Sequence, residues 1–324
     1  MARRKKGRPI HGWVILDKPL GMTSTQAVGL VKRLYDAQKA GHAGTLDPLA
    51  TGILPIALGE ATKTVSFAVD GEKAYRFTVR WGSETNTDDA EGSITETSEQ
   101  RPRMDEIEAL LPSFMGEIQQ VPPQFSAIKI DGERAYDLAR DGETVALEAR
   151  TVVIEDLRIV DMPDSETTVF EAECGKGTYV RALARDMGRR LGCYGHVIAL
   201  RRTQVGPFSE DEAVTKAELE AGAAEAQGDG AADGVDAAAL PGSDATLHGL
   251  LLPVESVLEN LLNVNVNSGD AARLKRGQPV LMRGRDAPVL SGPFFATCKG
   301  QIVALGEADR GELRPTRVFN IGGG

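Results

Sequence analysis

Asp47 lies in the stretch GHAGTLDPLATGILPIALGEATK (residues 41–63), where Gly41, Gly44, Gly52 and Gly59 let the backbone come close to a ligand. A carboxylate held on such a loop can bond covalently to a substrate and leave again, dividing one hard step into easier ones. Asp-Pro is also a common turn opener, so Asp47-Pro48 read alone is equally an ordinary loop. A second acid, Asp89, would permit paired-carboxylate hydrolysis, which the order of the motifs does not favour. Basic side chains concentrate in residues 174–205, where Lys176, Arg181, Arg185, Arg189, Arg190, Arg201 and Arg202 stand against Asp186 alone. That density suits a phosphate backbone. His11, His42, His196 and His248 show no ligand spacing, and Cys174, Cys193 and Cys298 are scattered, so no metal, cofactor or disulfide framework is expected.

These residues need elements to position them. GWVILD (12–17) reads as a strand, and Thr23 with Gln26 makes a capping-box pattern that opens a helix with Val28, Val31, Leu34 and Tyr35 as its apolar positions. AYRFTVRW (74–81) alternates, placing Tyr75, Phe77, Val79 and Trp81 on one face. That alternation makes Tyr75 a core residue as readily as a functional one. Residues 151–160 and 168–174 read as further strands. A helix is expected over 178–191, with Val180, Leu183, Ala184, Met187 and Leu191 inward and Gly192 after its end. The order has no regular βαβ rhythm, so an α+β fold with a mixed or antiparallel sheet is expected. Short apolar runs at 279–282, 294–298 and 301–308, broken by Gly and Pro, suit a small C-terminal β-barrel.

The formal net charge of −10 would argue against a nucleic-acid partner if charge were spread evenly. It is not. Residues 217–247 carry Glu218, Glu220, Glu225, Asp229, Asp233, Asp236 and Asp244 with no Lys or Arg, while the first ten residues hold Arg3, Arg4, Lys5, Lys6 and Arg8. The local field, with two basic patches, is compatible with RNA. The stretch from about 221 to 247 is Ala-, Gly- and Asp-rich and reads as a flexible linker or insertion. The expected division is a basic tail 1–10, a catalytic domain 11–215, a linker 216–249 and an end domain 250–324. No run is long and apolar enough to span a membrane, and no signal peptide is evident, so a cytoplasmic protein is expected.

GHAGTLDPLATGILPI resembles the catalytic motif of the TruB-type tRNA pseudouridine synthases, and WVILDKPLGMTS (13–24) resembles that family's first motif. KAYRF (73–77), TNTDDAEG (85–92), VPPQFSAIKIDGERAYDLARDG (121–142) and CGKGTYVRALARDMGRRLGCYGHVIALRR (174–202) follow in the family's order. The end portion is similar, more loosely, to its PUA-type RNA-binding domain, through LKRGQPV and the ending GEADRGELRPTRVF. The resemblance implies isomerisation of the uridine at position 55 in the T loop of tRNA, without a cofactor, by a monomer that needs no protein partner. It implies Asp47 as the nucleophile, Arg181 as the arginine paired with it, and Tyr75 stacked on the target base. Three routes remain open: attack at C6, attack at C1′, or removal of the C2′ proton.

The resemblance also places Lys18, Asp89, Tyr179 and Leu200 on site positions, and gives His42 the place vacated by the flipped base. Lys18 is also a candidate support for the Asp47 loop. Lys176, Arg185, Arg201 and Arg202 would meet phosphates, and 121–142 would be a mobile thumb. Two further readings stay in view: a guide-RNA-dependent synthase of the same superfamily, and a tRNA-binding or tRNA-folding protein without catalysis. An intact Asp47, Tyr75 and Arg181 set disfavours the latter.

Overall fold

The computed structural model describes residues 7–126, 129–130, 133–134, 147–228, 247–282 and 291–321. The basic residues at 3–6 and most of the expected thumb therefore lie outside the described residues. So do residues 229–246 of the expected linker.

In chain order the strands are β1 (Gly12–Lys18), β2 (Ala40–His42), β3 (Ala50–Leu58), β4 (Lys73–Trp81), β5 (Ser83–Thr85), β6 (Ile94–Thr97), β7 (Gly116–Gln120), β8 (Lys129–Ile130), β9 (Glu133–Arg134), β10 (Arg150–Asp161), β11 (Thr167–Cys174), β12 (Gly195–Val205) and β13 (Val214–Thr215). Nine of them form one sheet in the order β13-β1-β3-β12-β4-β11-β10-β7, with β2 paired to β3. Only β1 with β13 and β3 with β12 run parallel; the other pairs are antiparallel. The sheet is therefore mixed, in an α+β arrangement. Helix α1 (Ser24–Leu34) starts at the expected capping box, and it buries Ala27 and Leu30 together with Val31. Helices α2 (Val65–Asp70) and α3 (Met104–Leu110) are short, whereas α4 (Val180–Arg190) lies against β12 and β4.

The central strands serve two cores at once. Val14 and Leu16 of β1, with Leu54, Ile56 and Leu58 of β3, join the core under α1 and α4. Trp13, Ile15, Ile53 and Ala57 point to the opposite face, where Val254, Phe295, Leu305 and Phe319 meet them. Strands buried on both faces explain the unbroken apolar runs at 12–16 and 53–58, since side chains alternate between faces.

Residues 216–228 correct the expected linker. They form helix α5 (Lys216–Gly228), which packs on α1 with Leu219 and Ala223 buried in the first core. The acidic composition hid an apolar pair at helical spacing. Leu247, at the far end of the same stretch, is buried there too, and its carbonyl accepts from the Tyr35 hydroxyl at 2.8 Å.

The end portion contains β14 (Leu262–Asn265), helix α6 (Ser268–Lys275), β15 (Val280–Leu281), β16 (Gly292–Cys298), β17 (Gln301–Asp309) and β18 (Glu312–Val318). Its five strands curl into one sheet of order β14-β16-β17-β18-β15 over a core of Leu274, Phe294, Val303 and Leu313. A linker would leave its placement open, but apolar burial holds it against the main sheet. Trp13 exchanges backbone bonds with Leu252 at 2.8 Å, and its indole donates to Val254 O at 3.2 Å. Among the described residues no helix is long and apolar enough to cross a membrane.

Candidate active site

Residues 43–49 connect β2 to β3 and carry Asp47. Ser24, Gly21, Lys18 and Arg202 hold this loop. Ser24 Oγ bonds both the N–H and the carbonyl of Leu46 at 2.9 Å, and Gly21 N–H donates to Pro48 O at 2.8 Å. Lys18, fully buried, donates through Nζ to Met22 O at 2.7 Å, Pro19 O at 3.1 Å and Pro48 O at 3.5 Å. Burial, opposed by Asp47 and reinforced by Arg202, lowers the pKa of its ammonium to about 8. Arg202 completes the clasp from below, with Nε on Ile53 O at 2.8 Å, Nη1 on Thr45 O at 3.3 Å and Nη2 on Gly44 O at 3.2 Å.

Gly52 is required for this approach. Its φ is 95°, and a Cβ there would stand 2.2 Å from the Arg202 carbonyl oxygen.

Arg181, on the first turn of α4, reaches the loop from the other side. Its Nε lies 2.9 Å from Asp47 Oδ2 and its Nη1 3.2 Å from Asp89 Oδ2. The carbonyls of Thr87 and Phe125 accept from Nη1 and Nη2 at 2.8 and 2.9 Å. Asp89 itself is bound by Thr87 Oγ1 and by Glu91 N–H. The side chain of Arg181 is 6% exposed and that of Asp47 37%, so the arginine is sealed behind a carboxylate that solvent and a ligand can reach. A bonded, immobilised guanidinium orients that carboxylate with little freedom left to lose.

Asp47 opens onto a cavity of about 300 Å³, walled by Tyr75, Tyr179, Leu200, Lys73, Arg202 and the 175–178 turn. Burial raises the pKa of the Tyr75 hydroxyl against the opposing pull of Arg202, to which it is bonded, so it keeps its proton near neutrality. Leu200 is buried on β12 opposite Phe77, and Tyr179 caps α4 with its N–H on Gln120 Oε1 at 2.8 Å. His42 is half-buried at the end of β2, before the loop. A larger recess of about 1110 Å³ lies further along α4, but Glu84, Asp88, Glu96 and Asp186 wall it, and neither Asp47 nor Tyr75 does.

Residues 32–180 match the TruB family pseudouridylate synthase N-terminal domain, and residues 181–259 match the tRNA pseudouridylate synthase B C-terminal domain. The chain is 59% identical over 320 residues to the tRNA pseudouridine synthase B of Bradyrhizobium diazoefficiens, spanning 99% of this chain and 89% of that one. With the protein of the same name from Brucella melitensis it is 55% identical over 324 residues, spanning 99% and 100%. The chain belongs to the TruB family of pseudouridylate synthases. Among solved structures, a Cbf5–Nop10–Gar1 complex aligns with a TM-score of 0.69 at 25% identity, over 95% of this chain and 84% of that one. An H/ACA RNP bound to a substrate RNA containing 2′-deoxyuridine aligns with a TM-score of 0.71 at 23% identity, over 99% and 92%.

Asp47, Tyr75, Arg181, Lys18, Asp89, Tyr179 and Leu200, named from the TruB motifs, thus gather at one loop and cavity. The expected phosphate contacts do not fare alike. Arg185 is buried, with Nε on Asp186, Nη1 on Asp88 and Nη2 on Val121 O, and Arg202 is buried on three carbonyls. Every guanidinium nitrogen of both already has a protein acceptor in this structure. Arg201 binds Asp17 and Glu210, Arg189 binds Glu84, and Lys176 reaches Asp70 from an exposed position on the cavity rim. The local positive charge is largely cancelled by acids distant in sequence. Sequence reasoning missed the clasp of Arg202 and the Ser24 tether. The glycine at 52, which admits the Arg202 backbone, was the one local signal for the clasp.

Proposed function

We propose that this TruB-family chain isomerises a uridine in the T loop of tRNA, at position 55, with Asp47 as nucleophile. The observation that carries the reading is the half-exposed Asp47 carboxylate gripped by a sealed Arg181 at the mouth of a cavity walled by Tyr75 and Leu200. The relatives named tRNA pseudouridine synthase B support tRNA as the substrate.

In the reaction the C1′–N1 bond of uridine breaks, the uracil rotates, and a C1′–C5 bond forms. C5 then loses its proton and N1 gains one. Asp47 holds the nucleotide covalently while the base turns and is released at the end. Arg181 keeps its carboxylate aimed, and Tyr75 lies against the base, positioned to relay the C5 proton by giving up its own hydroxyl proton as it accepts that one. The uridine must leave its stack to reach Asp47, at a cost of a few kcal/mol. His42, beside the loop, takes its place in the RNA. Lys176 meets backbone phosphate by exchanging its exposed bond to Asp70, and the C-terminal sheet acts as a PUA-like RNA-binding domain.

A guide-dependent synthase is the second reading, because the solved H/ACA structures share the fold. One experiment separates the two: release of tritium from a T-arm hairpin carrying C5-labelled uridine, with no guide RNA, protein partner, metal or cofactor added. Release by the wild type and none by Asp47→Ala, with hairpin affinity kept within about tenfold, or about 1.4 kcal/mol, is expected. A wild type that binds the hairpin and releases nothing would overturn the stand-alone reading.

A further inference from the structure

One turn beyond Arg181, helix α4 carries a second arginine whose surroundings repeat those of the first. Arg181 joins Asp89 to the carbonyl of Phe125, at 3.2 and 2.9 Å. Arg185 joins Asp88 to the carbonyl of Val121, at 2.9 and 2.7 Å. Four residues forward along the helix correspond to four residues back along the 121–125 segment and to the adjacent acid of the 85–92 loop. Both arginine side chains are buried, 6% and 8% exposed. The two rungs tie the same three elements, but only the inner one touches Asp47.

The loop is bent to make this pairing. Asp88 has a φ of 61°, a left-handed conformation uncommon for a residue with a side chain, and the turn is closed by Thr85 Oγ1 on Asp89 O and Val197 N–H on Asp88 O. Two consecutive acids thereby both face α4. The outer rung is also a poor device for stability alone. Burial pushes the Asp88 carboxyl up to about 6 against the pull of Arg185, Arg181 and Arg189, with Glu84 adding to the push. Buried ion pairs of this kind contribute geometry more reliably than folding energy.

We propose that Arg185 and Asp88 are positioning residues for Arg181, their rung setting the spacing of α4, the 85–92 loop and the 121–125 segment so that Arg181 presents Nε to Asp47. The inference rests on the catalytic reading of Asp47 and Arg181. Arg185→Lys keeps the charge and removes the fork that spans Asp88 and Val121 O; Asp88→Asn keeps the shape and removes the charge.

Single-turnover tritium release, with folded enzyme in saturating excess over a T-arm hairpin, gives a rate constant independent of how much enzyme is folded, while thermal melts report the folding of each variant. Both variants are expected to lower the rate constant at least about tenfold, since a misplacement of about 1 Å can cost about a hundredfold, with hairpin affinity unchanged. Unchanged rate constants in both variants, whatever their melting temperatures, would overturn the positioning role. No release by the wild type would instead remove the catalytic reading, and the inference with it.

Discussion

The joint with the C-terminal sheet and the Asp47 end of β1 and β3 are held by opposite means. On the face toward the C-terminal sheet, Trp13, Ile15 and Ile53 meet Phe295, Leu305 and Phe319 in an apolar joint, within which the Trp13 indole donates to Val254 O. At the Asp47 end of the same strands, Lys18, Arg181 and Arg202 are buried charges whose donors go to carbonyls and carboxylates. Apolar packing places a domain without directing any particular atom, because it is proportional to area and has no direction. Aiming one carboxylate needs hydrogen bonds, which do have direction, and charged donors strong enough to keep it there. Placement and aim are thus assigned to different chemistry in two regions of the same strands.

This contrast can be broken in order of expected effect. Arg181→Met should do both kinds of damage. It removes one partner of a buried pair, costing about 3–5 kcal/mol of stability, and it lowers the rate constant at saturation by about a hundredfold or more. Denaturant melts and single-turnover rates would check the two halves, and an unchanged rate would mean that Arg181 is structural only. Trp13→Ala should lose about 3–5 kcal/mol of stability while the rate constant of the folded fraction stays at the wild-type value. A rate loss there would show that the joint reaches the chemistry.

Lys18→Met strips the donors from Met22 O and Pro19 O, for about 1.5–3 kcal/mol. It also carries a pH signature. The folded-state pKa of Lys18 is lowered from 10.5 to about 8, so between these values the unfolded chain binds more protons. Its contribution to stability therefore grows as pH rises through that window, and the variant should lack this rise in melts at pH 8 and 10. Glu60→Gln is the smallest change. Glu60 binds Lys63 and the N–H of Asn320 at the partly exposed rim of the joint, and its loss should cost about 0–1 kcal/mol. A larger loss would mean that the rim, and not the apolar centre, fixes the C-terminal sheet.

Much of this was legible along the chain. The capping box of Thr23 and Gln26, the alternation of residues 74–81 and the motif carrying Asp47 are local signals, and each is found where local pattern put it. The run 12–17 marked β1 as a strand, whereas β3 lay inside a stretch read as a glycine-bearing loop, and nothing local showed that the two faces of these strands serve different cores. The acidic stretch after 215 was misread at its start because composition outweighed the spacing of Leu219 and Ala223.

What the sequence alone determined is therefore the family, the elements and the identity of the residues around Asp47, since propensity, periodicity and motif order act between near neighbours. What the tertiary structure decided is the use of each charge. Arg185 meets Asp88 across 97 residues, Arg201 meets Asp17 across 184, and Arg202 reaches Ile53 O across 149. A count of Lys and Arg along the chain sees none of these partners. Electrostatic interaction depends on distance through space and on the local dielectric, and both exist only once the chain is folded.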